Sequence, residues 1–570
     1  MLPPLARLRL LPARACGRLG CGGLGWCGQL PHEPSPRCRC AARLAHEAPP
    51  AAAAAACATR GPELWRHSAG GARRSRCPNG CGGAGRCVLG FCHCAAGAWG
   101  LDCGMSAARA AALLRGGARP KVFVYELPPA LRRSCNAWRL PEDVADRLLR
   151  SEHLSPTPAA ADYFWYYGCP NGDMVLPALR WIWRTYPMWN DSVRRGTPRH
   201  VMVVAHEEGW AEVWRYLVEW LRHTPGGDHA NSGGRWDAIH PASASRQLAV
   251  LQLSGNSDYT PPGVARRQRC VSAGARCYLC FQPGKDVVVP AAPGLVDYPD
   301  EQMCARFAAR QERRDAWGGA LQRTGDRVFF SGAIWTKPRG NGFYEASRLV
   351  PYRCHRHARE ARVHLRQTET ALEAVQPSEV EPPVDSVGFA ARAEMCVVPE
   401  GKAGSYGHRA LAAVQLGCVP LFTKERFSFD FFHEAINWTE AAVFVPPVEM
   451  PRLLQMLPSG EELLRMRRAG ARLRRRLLWT SIYGDCHLPR GDGHEPDAFD
   501  TLMQVLRQPR RYFKLSSVHY APRAPELLKD LDPWLEAHGG ASLDDAAHKA
   551  EGSSLRASAV RMHTQKACIS

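Results

Sequence analysis

Short, uninterrupted apolar runs recur from residue 121 onward, separated by stretches of helical composition. They are Lys121–Tyr125, Val201–Ala205, Val287–Val289, Val328–Phe330, Met395–Val398, Cys418–Phe422 and Val443–Val445. A run without polar alternation, such as Met395–Val398 ahead of Pro399, predicts a strand covered on both faces, as in a parallel sheet flanked by helices. Helices are expected over the stretch opening at Arg409, at about 450–457 and at 460–479. In the last, Leu463, Leu464, Leu473, Leu477 and Leu478 mark the apolar positions. Arg465, Arg467, Arg468, Arg472 and Arg474–Arg476 supply a basic face, normally a solvated one and alternatively a contact for an acidic glycan.

The segment from Glu394 to Leu421 organises this pattern. Its strand is followed by a loop with Gly401, Gly404, Ser405, Gly407 and His408, then by the helix from Arg409, which Gly417 stops before the next strand. Glycines admit close approach of backbone to ligand, a helix N-terminus offers unpaired N–H groups, and Arg409 adds a forked cation. Such a βαβ unit suits a diphosphate, although a glycine-bearing turn also serves any crossover.

The order Cys396, Pro399, Gly401, Arg409, Gly417-Cys418-Val419-Pro420, with Phe427, Phe429 and Trp438 beyond it, resembles the signature of the exostosin-type glycosyltransferases. Further blocks lie in register with that family. They are Val124-Tyr125-Glu126-Leu127-Pro128-Pro129, Ser155–Phe164, Pro187-Met188-Trp189-Asn190, Pro283-Gly284-Lys285-Asp286-Val287 and Phe329-Phe330-Ser331-Gly332. The resemblance implies a GT-B fold, two doubly wound Rossmann-like α/β halves facing a cleft, and inverting transfer from a nucleotide sugar, a UDP-sugar, to a glycan or glycoprotein acceptor. It places the donor on Gly401, Gly404, Ser405, His408 and Arg409. His206 and Glu207, just past the strand Val201–Ala205, fall on the family's His-Asp pair and take acceptor-side acid–base work or hydroxyl binding. The competing role for His206 is to cap the following helix or tie down its loop. One position departs from the family: the acid three residues after the Arg is Ala412 here, with Glu425 as the nearest substitute carboxylate. The alternative reading is therefore an inactive, secreted or wall-associated glycan-binding protein.

The implied boundaries are 1–70 for a low-complexity or targeting segment, 74–104 for a small cysteine-rich module, 119–320 for the acceptor-side half, 321–510 for the nucleotide-sugar half and 511–570 for a tail. Cysteine usage adds the compartment. Cys77, Cys81, Cys87, Cys92, Cys94 and Cys103 lie within 27 residues, too few to bury a core without staples. Their spacing resembles an EGF-like module, which implies the pairs Cys77–Cys87, Cys81–Cys92 and Cys94–Cys103, an oxidising compartment and a surface for a protein partner. Zinc is the alternative, but no paired CxxC units are present. Cys135 and Cys169 are a further candidate pair; Cys270, Cys277 and Cys280 read as structural disulfides more readily than as the start of a metal site.

The net charge of +20 is spread along the chain and joins no nucleic-acid module, so nucleic acid is not the expected partner. The family is anchored in the Golgi membrane, yet no apolar segment in residues 1–60 approaches the roughly 20 residues a spanning helix needs. The one Asp-x-Asp, Asp530-Leu531-Asp532, lies in the tail, so neither metal nor cofactor is expected. Asn190-Asp191-Ser192 and Asn437-Trp438-Thr439 are N-glycosylation patterns, usable only in the secretory pathway.

Overall fold

The computed structural model describes residues 9–11, 25–29 and 37–40 and most of 77–206, with Gly209 and Val213 beyond it. It further describes most of 247–253, 281–291, 327–332, 389–399, 409–423, 430–483 and 496–510, with parts of 348–367. Strands β1 (Arg9–Leu11), β2 (Gly25–Gln29) and β3 (Arg37–Cys40) pair antiparallel.

The cysteine-rich module is a hairpin of β4 (Gly85–Val88) and β5 (Phe91–Cys94) stapled by disulfides Cys77–Cys87, Cys81–Cys92 and Cys94–Cys103. Helix α1 (Ala107–Arg115) follows, its first turn capped by Ser106, whose hydroxyl accepts from the Arg109 N–H at 3.2 Å. The module is bound to the domain behind it. Asn79 Nδ2 donates to Asp102 Oδ2 at 2.7 Å and to Asp146 O at 2.9 Å, Arg109 Nη2 to Leu149 O at 2.7 Å, and Arg132 Nη2 to Gly90 O at 2.5 Å. Asp146 and Leu149 lie on α2 (Leu140–Arg150), an amphipathic helix that buries Leu140, Val144, Ala145 and Leu148.

The chain divides into two compact units, the cysteine-rich module lying in the first. The first is carried mainly by residues before 252 together with 506–512, the second mainly by residues 252–505. In the first unit, β6 (Val122–Val124), β7 (Tyr163–Trp165), β8 (His200–Val204) and β9 (Leu248–Gln252) stand side by side in the order β9-β8-β7-β6, with α3 (Val175–Thr185) between β7 and β8 in the chain. The pairs β6–β7 and β7–β8 are parallel. Segment 506–512 returns to this unit: the Tyr163 hydroxyl donates to Gln508 O at 2.9 Å and accepts from the Arg510 N–H at 3.3 Å.

The second unit contains β10 (Val287–Val288), β11 (Val328–Gly332), β12 (Val363–Gln367), β13 (Met395–Pro399), α4 (Arg409–Leu416), β14 (Val419–Thr423), β15 (Val443–Phe444), α5 (Gly460–Arg476) and α6 (Ala498–Leu506). Five of its strands form an all-parallel sheet in the order β12-β11-β13-β14-β15. Alternate residues Val328, Phe330, Val363, Leu365, Met395, Val397, Val419, Leu421 and Val443 join one buried cluster with Met450, Leu453, Leu463 and Met466. The intervening residues are buried too, Cys396, Val398 and Phe422 among them, which is why these strands read as continuous apolar runs. The reversal that makes a sheet doubly wound falls between β11 and β13. Among the described strands of the first unit the order is a simple succession.

Candidate functional site

Helix α4 is locally well specified. Ala410, Leu411, Ala413, Val414 and Leu416 are buried, and the helix ends in a Schellman arrangement at Gly417, φ 68°. There the Gly417 N–H donates to Val414 O at 3.1 Å and the Cys418 N–H to Ala413 O at 2.9 Å. Cys418 then closes a disulfide with Cys396 on β13, Cα–Cα 5.8 Å. The bond spans the base of the strand–loop–helix segment and ties the far end of α4 to the strand that precedes the glycine-bearing loop.

The other end of α4 carries Arg409. Its guanidinium carbon stands 5.6 Å from the Phe330 ring centroid, within the range of a cation–π contact. A Cβ built on Gly332 would come 2.5 Å from Arg409 Nη2 and 3.6 Å from Cζ. Phe330 and Gly332 end β11, so the half-buried Arg409 is held at the carboxyl edge of the sheet, where β11 and β13 part. In open parallel sheets this edge, at the point where the strand order reverses, is where ligands bind. The sequence marks Phe330 and Gly332 as a strand and a family block; their bearing on Arg409 depends on the strand order, which periodicity does not encode.

Ala412 lies half-buried on α4 and presents no carboxylate. Gly401, Gly404, Ser405, His408 and Glu425 lie outside the described residues, as does Glu207. His206 follows β8, half-buried, and its carbonyl accepts from the Gly209 N–H at 3.0 Å. At Gly209, φ 56°, a side chain would collide with Gln252, so this turn requires glycine.

Two buried polar clusters are structural. Lys285 and Asp286 are ion-paired in the interior of the second unit; burial lowers the lysine pKa and Asp286 opposes that shift. In the first unit the Tyr125 hydroxyl and His200 Nδ1 stand 2.7 Å apart among Phe164, Tyr186 and Trp189. Burial, with Arg199 beside it, lowers the His200 pKa to about 3, so its ring is neutral.

The sulfur atoms of Cys77, Cys81 and Cys92 lie within 4.8 Å of one another, but all three cysteines are spent in disulfides and offer no thiolate to a metal. Cys169 and Cys354 are disulfide-bonded as well. Cys135, Cys270, Cys277, Cys280 and the Asp530–Asp532 pair lie outside the described residues. Among the described residues no helix is long and apolar enough to cross a membrane.

No family model matches the chain, and no curated protein matches it. Among solved structures, Anabaena Alr3699/HepE in complex with UDP and glucose is similar at a TM-score of 0.28 and 9% identity, over 64% of this chain and 97% of that chain. The same protein in complex with UDP-glucose gives a TM-score of 0.28 and 9% identity, over 67% of this chain and 97% of that one.

Proposed function

We propose that the second unit binds the diphosphate of a nucleotide sugar, a UDP-sugar, and that the protein is an inverting glycosyltransferase of exostosin type. The observation that supports this reading is the station of Arg409, pressed against Gly332 at the carboxyl edge where β11 and β13 diverge. A guanidinium there meets two diphosphate oxygens with parallel hydrogen bonds, and the first turn of α4 adds unpaired N–H groups. As the acceptor oxygen attacks the anomeric carbon, the bond to the diphosphate oxygen breaks and that oxygen keeps the electron pair. Arg409, with the 401–408 loop, stabilises the developing charge; one fixed donor of this kind contributes about 3 kcal/mol to the transition state. His206, oriented by Glu207, takes the hydroxyl proton or holds the hydroxyl. Charge neutralisation by Arg409 requires no metal. The module disulfides and Cys396–Cys418 favour maturation in the secretory pathway, at the Golgi membrane or in its lumen.

The test is turnover of a panel of UDP-sugars with glycan acceptors in the presence of chelator, comparing wild type with Arg409→Ala and His206→Ala and reading the anomeric configuration of the product by NMR. Transfer with inversion that both substitutions depress by a factor of about 100 or more supports the reading. Ala412 favours a second reading, a nucleotide or glycan binder without transfer. Binding of UDP without turnover of any donor would select it.

A further inference from the structure

Three groups of the second unit converge at the end of β11. A Cβ placed on Gly332 would lie 2.5 Å from Arg409 Nη2, 3.6 Å from Arg409 Cζ and 3.3 Å from Phe330 Cζ. The guanidinium carbon of Arg409 stands 5.6 Å from the centroid of the Phe330 ring. The bare Cα of Gly332 thus leaves room for the guanidinium beside the ring, room that any side chain would fill.

Phe330 is itself held in place. It is buried in the cluster that contains Val328, Leu365, Val397 and Leu421, so core packing fixes its ring. Arg409 opens α4 and is half-buried. A ring anchored in the sheet therefore meets a cation that begins a different element. The face of an aromatic ring attracts a guanidinium without taking up its N–H groups and without neutralising its charge, as a carboxylate would. A cation seated this way keeps its donors and its charge for an anion.

We propose that Phe330 is a positioning residue for the donor diphosphate: its ring, with the opening at Gly332 beside it, sets where the Arg409 guanidinium meets the phosphate oxygens. Phe330 acts through Arg409 and is not a catalytic residue. The proposal rests on the reading of Arg409 as the diphosphate-binding cation, and it adds a specificity to that reading. The seat bears on the phosphates of the ligand and not on its nucleoside, so disturbing it weakens UDP and leaves uridine, which has no phosphate, unaffected.

The experiment uses the full chain without added metal, with UDP affinity read by calorimetry and uridine affinity by ligand-observed NMR. Because Phe330→Leu removes core packing, the decisive variants carry fluorinated phenylalanines at position 330, from the monofluoro to the pentafluoro ring. These nearly keep the size of the side chain while the ring face loses its negative potential. UDP affinity should fall stepwise along the series, by about fivefold for the pentafluoro ring, with uridine affinity and melting temperature little changed. UDP affinity indifferent to fluorination, or UDP and uridine weakened alike, overturns the proposal. Arg409→Ala in the same titrations tests the reading beneath it. UDP bound by the wild type and weakened by Arg409→Ala leaves the donor reading standing whatever the fluorinated series returns. No UDP binding by folded wild type, or equal binding by Arg409→Ala, defeats that reading and the proposal with it.

Discussion

The guanidinium of Arg409 rests against the bare Cα of Gly332, leaving 2.5 Å between Nη2 and the place a Cβ would occupy. The contact joins the first residue of α4 to the last residue of β11, two elements far apart in sequence that become neighbours because β11 and β13 are adjacent in the sheet. It fixes where the cation can point. Gly332→Ala should therefore shift the guanidinium rather than break the fold, since the far end of a long side chain can yield. The expected result is UDP affinity lowered about tenfold with little change in melting temperature, read by calorimetry and thermal denaturation. Unchanged affinity would separate Gly332 from the site.

The strands of this region were legible because covering both faces of a parallel sheet demands nearly continuous apolar residues, as in Met395–Pro399 and Val419–Thr423. The stop at Gly417 was legible from the chemistry of a helix C-terminus. The contact of Arg409 with Phe330 and Gly332 was not, because it depends on which strands are neighbours. Nor was the Cys396–Cys418 bond: both cysteines sit in apolar runs and look like core residues until the register sets Cys396 opposite Pro420. Glu126 passed as part of a strand-ending motif, since a carboxyl raised by burial has the same letter as any other glutamate.

The Cys396–Cys418 disulfide closes a span of 22 residues that holds the whole glycine-bearing loop and α4. Replacing both cysteines with serine should lower stability by about 3 kcal/mol, chiefly by freeing the unfolded chain. It should also weaken UDP binding, because α4 loses the covalent tie between its C-terminal end and β13. Denaturant unfolding and calorimetry on the double variant measure the two effects separately.

His200 gives the first unit a distinct response to acid. Its folded pKa, about 3, lies below the ordinary 6.5, so between these values the unfolded chain binds the extra proton and stability falls as pH drops. This one group should withdraw about 1–2 kcal/mol between pH 6.5 and 5. Urea unfolding of wild type and His200→Asn across that range should diverge in slope, the variant being the flatter.

Glu126 acts with the opposite sign. Its folded pKa, about 8, lies above the ordinary glutamate value of 4.5, so folding takes up a proton between them and stability falls as pH rises. Glu126→Gln should be the more stable protein at pH 8, by about 1–3 kcal/mol after allowing for its partial exposure, with the difference vanishing toward pH 4.5.

Asn437 and Thr439 are exposed while Trp438 between them is buried, and the Thr439 hydroxyl donates to Asn437 Oδ1 at 2.7 Å. Expressed through a secretory pathway, the chain should carry an N-glycan here, removed by endoglycosidase and absent from Asn437→Gln. An unglycosylated Asn437 in secreted protein would contradict this.

The most direct test of the donor site is calorimetric titration of UDP into the folded protein, without added metal, beside Arg409→Ala. The account predicts binding by the wild type that falls about tenfold or more in the variant. Equal affinity in both proteins, or no binding by a wild type shown to be folded, would contradict it.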